Sequence, residues 1–141
     1  MLPPSPYQKL AGCVWLPRIV GKSRLLAKGQ LTEAFAFPFC HPGAVDGQFL
    51  MHFQLSREQI IALGTMNNEE VEAWFLSLPS ATPESITAWN EVAVNLGRPG
   101  YPMEETKIRG MATSYKHLAD RNFETIFEVL SADDELIRST A

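Results

Sequence analysis

Between residues 16 and 28 the chain sets Leu16, Ile19, Val20, Ser23, Leu26 and Ala27 at helical spacing on one side. Arg18, Lys22, Arg24 and Lys28 spread over the opposite arc, with Arg18 and Arg24 flanking the apolar face. Pro17 suits the first helical position, where a missing N–H costs nothing, and Gly29 closes the segment. Residues 7–15, ahead of it, read as a short helix. The next stretch, QLTEAFAFPFCHPGAVDGQ over residues 30–48, alternates Phe35, Phe37 and Phe39 at period two and then breaks at His-Pro-Gly. Pro38 argues against a central strand, so this is expected to be one long extended aromatic loop or a poor edge strand. A loop of that length in a small domain is a candidate lid or pocket wall.

From Ser56 onward the helix signals become regular. Ser56 with Gln59 has the form of a capping box, and Asn68 precedes Glu69 and Glu70 at the start of another helix carrying Val71, Trp74, Phe75 and Leu78. Thr82-Pro83-Glu84 opens a further helix with Ile86, Trp89, Ala93 and Leu96, stopping at Gly97. Residues 98–102 form a turn. Ile108, Met111, Ala112 and Tyr115 mark an amphipathic helix, Phe123, Ile126, Phe127 and Leu130 follow, and Ser131 with Asp134 caps a short terminal one. The expected fold is all-α: one compact domain over residues 1–141, a bundle of six or seven short helices with the long aromatic loop of residues 30–48.

Charge changes the picture more than composition does. The net charge is −4, yet residues 1–32 hold five of the twelve Lys and Arg and no acid, so over the remainder sixteen acids face seven cations. With a pI of 5.3 there is no broad basic face of the kind a nucleic-acid binder carries, and a small cationic spot for one anionic group is the sharper expectation. No apolar run approaches a membrane span, and MLPPSPYQKL lacks the form of a signal peptide, so a soluble cytoplasmic protein is expected. Cys13 and Cys40 form no CxxC or disulfide framework and are read as buried thiols in a reducing compartment.

The blocks YQKLAGCVWLPRIVGKSR, QFLMHFQLS, NNEEVEAWF, WNEVAVNLGRPG and FETIFEVLSADDE together resemble the bacterial domain-of-unknown-function family 5069 over nearly the whole chain. The front block, with its Leu-Pro-Arg and basic helix, is the specific part. The resemblance implies no activity. It departs at Gly21, where the family pattern places an acid just before Lys22.

Candidate chemistry gathers at the front. Arg18, Lys22 and Arg24 read either as a solvated helix face with surface ion pairs or as an anion pocket, in which an arginine fork fixes a carboxylate or phosphate while Lys22 adds a mobile charge. Tyr7 and Trp15 are its candidate walls, or core. Such a module would hold a small anionic molecule or an acidic protein segment. The alternative is a cofactor-independent enzyme using His41 or His52, with Tyr101 or Tyr115, for proton transfer near an aromatic pocket. No HxxxH or HExxH spacing suggests a metal site, no cofactor loop is present, and neither nucleic acid nor membrane is expected as a partner. Glu69-Glu70, Glu104-Glu105 and Asp133-Asp134-Glu135 read as first-turn acids rather than paired catalytic carboxylates. A homo-oligomer with an even number of subunits is the default for association.

Overall fold

The computed structural model describes residues 1–140. The described residues form an all-α protein with one small hairpin: β1 (Lys9–Leu10), β2 (Cys13–Val14), α1 (Leu16–Ala27), α2 (Glu33–Ala36), α3 (Val45–Phe53), α4 (Arg57–Ala62), α5 (Asn68–Leu76), α6 (Pro83–Ala93), α7 (Glu104–Ala112) and α8 (Ile126–Thr140). Two 3-10 turns lie at Leu63–Thr65 and Lys116–Leu118. The chain divides into two compact units, residues 3–89 with Met1 and the residues from 90 onward with Leu2.

Residues 7–15 are not the expected helix. Ala11 and Gly12 both take positive φ, 55° and 74°, the signature of a two-residue primed turn whose twist matches that of a hairpin. The strands pair antiparallel with Lys9 opposite Val14 and Leu10 opposite Cys13. Trp15 then turns the chain into α1 through a left-handed backbone, φ 74° and ψ −27°. α1 ends as Gly29 predicts: the Gly29 N–H donates to Leu26 O and the Gln30 N–H to Leu25 O, two bonds that satisfy carbonyls the helix leaves open.

The stretch at residues 30–48 is also not extended. EAFA closes into the single turn α2, and α3 begins at Val45. Phe35 and Phe39, four residues apart, turn toward the protein, half-buried and buried, while Phe37 points out at 74% exposure. The helical spacing overrides the period-two alternation.

Capping explains the regular part of the first unit. Ser56 and Gln59 exchange the two bonds of a capping box at α4, and Asn67, one residue before the predicted cap, does the same with Glu70 at α5. Thr82 Oγ1 accepts from the Ser85 N–H at the start of α6. These helices bury Phe49, Phe53, Ile60, Leu63, Val71, Phe75 and Trp89, with Phe53 edge-on to Phe75 at 5.0 Å. Trp89 Nε1 donates to Val14 O at 2.9 Å, tying the hairpin to this core.

In the second unit α7 has no fully buried residue and Ile108 is 60% exposed, so only part of the amphipathic face expected there, Met111 with Tyr115, is used for packing. These two and Phe123 pack against Leu118, Val129 and Ala132. α8 runs unbroken through Ser131, so that serine caps nothing and residues 133–135 lie mid-helix rather than in a first turn. The cap is Thr125, which exchanges a capping-box pair with Glu128.

Candidate functional site

The left-handed turn at Trp15 sets its indole beside the first two turns of α1. Arg18 and Lys22, one turn apart on that helix, are 2% and 3% exposed, so these two cations face inward rather than lying on a solvated helix face. The Arg18 guanidinium lies 5.5 Å from the Trp15 ring and 5.6 Å from the Phe35 ring, and its Nη1 donates to Pro4 O at 3.0 Å. Lys22 Nζ lies 5.2 Å from the same Trp15 ring. Two cations flanking one aromatic ring are favoured by its quadrupole, and the more so out of water.

Gly21 permits this packing. A Cβ at that position would stand 2.4 Å from Pro4 Cδ, so the N-terminal strap could not cross α1 closely enough to bring its carbonyl to Arg18.

The anionic counterpart is Asp46, fully buried in the first turn of α3, where the helix dipole favours a carboxylate. Its Oδ1 accepts from Trp15 Nε1 at 2.8 Å, and its Oδ2 accepts from Lys22 Nζ at 2.8 Å and from the Cys40 N–H at 2.9 Å. Three donors from two chain segments, α1 with its cap and the turn at Cys40, therefore converge on one carboxylate. Trp15 and Cys40 both adopt positive φ, 74° and 55°, a conformation unfavourable for residues with a Cβ, and each donates to Asp46, Trp15 from its indole N–H and Cys40 from its backbone N–H. Burial lowers the Lys22 pKa, Asp46 pulls it back up, and Arg18 adds to the lowering. Burial also pushes both thiols up to about 12, with Asp46 contributing at Cys40, so neither cysteine is a thiolate nucleophile near neutral pH.

The structure thus gathers Trp15, Arg18 and Lys22 and adds Phe35 and Asp46. Arg24 goes elsewhere. Its guanidinium holds Met66 O at 3.0 Å and Asn68 Oδ1 at 2.9 Å, fastening the turn before α5 to α1. Tyr7, Lys9 and Lys28 are exposed.

The candidate acid-base groups have partners of their own. His41 is exposed, stacks on Phe37 at 5.5 Å, and its Nδ1 accepts from the Gly43 N–H. His52 Nε2 lies 2.8 Å from Ser85 O and 3.1 Å from Ser85 Oγ. A carbonyl oxygen only accepts, so Nε2 carries the proton and cannot take one from the serine hydroxyl. The Ser85–His52 contact is therefore not a nucleophile-base pair in this geometry. In the second unit Tyr101 donates to Glu91, which raises its pKa, and Tyr115 is a packing residue. Among the described residues no three His, Cys, Asp or Glu side chains are arranged to hold a metal, and no helix is long and apolar enough to cross a membrane.

Asp46 was not singled out as a site residue by sequence reasoning. The available signal was weak: it is the lone acid between Glu33 and Glu58, downstream of an acid-free basic block.

Residues 1–136 match the family described as Domain of unknown function (DUF5069). No curated protein and no solved structure matches the chain.

Proposed function

Because the chain belongs to domain-of-unknown-function family 5069, whose description states no activity, its role has to be read from its residues, and we propose a non-catalytic module that binds a small anionic molecule or an acidic protein segment. The observation that supports this reading is the convergence of Trp15 Nε1, Lys22 Nζ and the Cys40 N–H on one carboxylate, with Arg18 one turn away. This corner of the first unit is built around anionic oxygen, and Asp46 is its internal example.

Arg18 is the proposed anchor, because a guanidinium fork suits a carboxylate or phosphate and stays charged at every relevant pH. Lys22 and Trp15 support it, the exposed Tyr7 is an outer contributor, and Arg24 takes no part because Met66 and Asn68 hold it. The exposed Lys9 and Lys28 add long-range attraction on a chain whose remainder is acidic. Binding is favoured over catalysis because the imidazoles are committed to Gly43 and Ser85 and the thiols are held protonated.

The test is calorimetric titration with inorganic phosphate and with a hexaglutamate peptide at about 0.02 M and about 0.2 M salt. The reading predicts affinity that falls with salt and drops about tenfold in Arg18→Lys, which keeps the charge and loses the fork. Absence of binding by both probes, or an unchanged Arg18→Lys, contradicts it.

A further inference from the structure

Arg18 and Lys22 are shut away from water, so an anion can reach them only if something moves. We propose that residues 31–38 are a lid over this corner, hinged beside Gly29 and Cys40, and that its opening admits the anion; the inference rests on the binding reading above.

Four features of the segment point to this. None of residues 31–38 is buried: Leu31, Phe35 and Pro38 are half-buried and the others exposed. α2 is a single turn that buries nothing, so little apolar area resists its displacement. It reaches toward the site through the Phe35 ring, which lies 5.6 Å from the Arg18 guanidinium. The two ends, by contrast, are fixed. Before the lid, Gly29 and Gln30 donate back into α1. After it, Phe39 is buried, Arg57 Nη1 donates to its carbonyl at 3.1 Å, and Cys40 N–H is held by Asp46.

The hinges sit where the backbone already departs from ordinary helix or strand, with φ 68° at Gly29 and 55° at Cys40. Between them, the backbone bonds to be given up are those at the far end, Phe39 N–H to Ala36 O and His41 N–H to Pro38 O, while the others are local: Phe35 and Ala36 N–H to Thr32 O, and Phe37 N–H to Glu33 O. These lie inside the turn and can travel with it. Lifting the segment as a unit uncovers Arg18 without disturbing the Lys22–Asp46 bond. Such small hinged segments are a common means of gating a site.

Arg18 reactivity toward phenylglyoxal, read peptide by peptide in the native full chain, measures the opening, with native-state hydrogen exchange of α1 reporting global unfolding. The lid predicts that Arg18 is modified about 100-fold faster than α1 amides open, that Phe35→Ala raises the rate about tenfold, and that inorganic phosphate lowers it. Phe37→Ala, on the same turn but facing outward, leaves the rate unchanged. If Arg18 reacts only as fast as α1 opens, in wild type and Phe35→Ala alike, the lid is overturned while the calorimetric binding result still judges the anion reading. If Arg18 reacts quickly and Phe35→Ala speeds it, but phosphate and hexaglutamate neither protect nor bind, the anion reading falls and with it the lid's role in admission.

Discussion

Lys22 Nζ donates to Asp46 Oδ2 across 2.8 Å, with both side chains withdrawn from solvent and 24 residues of chain between them. A buried pair of this kind is costly to form, because both ions lose hydration, and costly to break, because the survivor stays buried and uncompensated. Asp46→Ala is expected to cost about 3–5 kcal/mol in denaturant unfolding. Replacing both partners, as Lys22→Met with Asp46→Leu, is expected to cost much less than the two single changes summed. Strict additivity would show that the pair is not coupled.

Gly21 provides a second test, one of backbone approach. In Gly21→Ala the new methyl meets the Pro4 ring, so the N-terminal strap must lift and the Arg18–Pro4 bond be lost. The expected destabilisation is about 1–3 kcal/mol, the range for overpacking. A matching double variant, Gly21→Ala with Pro4→Gly, should recover part of it.

The thiols give a pH dependence of definite sign. Cys13 and Cys40 ionise near 9.0 when unfolded, whereas burial holds them up to about 12 in the folded protein. Between those values the unfolded chain has released protons that the folded chain keeps, so stability falls as pH rises above 9.0 and is unaffected by the thiols below it. Lys22 acts oppositely: lowered from 10.5, it lets stability rise as pH climbs toward that value. Comparing wild type with Cys13→Ala isolates the thiol, and the wild type is expected to lose stability relative to the variant from pH 9.0 upward.

Native alkylation checks the same burial kinetically. Cys13, fully buried, is expected to react with iodoacetamide only as fast as the protein opens, and half-buried Cys40 faster, though far below a free thiol.

Much of the fold was legible because it is encoded locally. Ser56 with Gln59 and Thr82 with Ser85 sit within one helical turn, as do Val71 and Phe75, so spacing alone places them. The hairpin was missed because its signal is the backbone of Ala11 and Gly12, while Leu10, Cys13 and Val14 suit a helix equally well. Period-two phenylalanines concealed α2, a single turn closed by backbone bonds to Thr32 O and Glu33 O with no side-chain cap to announce it. At the site, Arg18, Lys22 and Trp15 were visible as a basic stretch with a neighbouring ring. Their inward direction was not, since it depends on Asp46, and nothing local to residue 46 says that a lysine 24 positions earlier will meet it.

The most direct test of the binding account is a proton–nitrogen NMR titration with inorganic phosphate, watching the Trp15 indole N–H, the backbone amide of Cys40 and the Arg18 side chain. Trp15 Nε1 and Cys40 N both donate to Asp46, so an anion entering beside Arg18 perturbs their shared carboxylate. The account predicts saturable shifts at these three groups, suppressed by salt and lost in Arg18→Lys. Shifts confined to Lys9 and Lys28, or none at saturating phosphate, would contradict it.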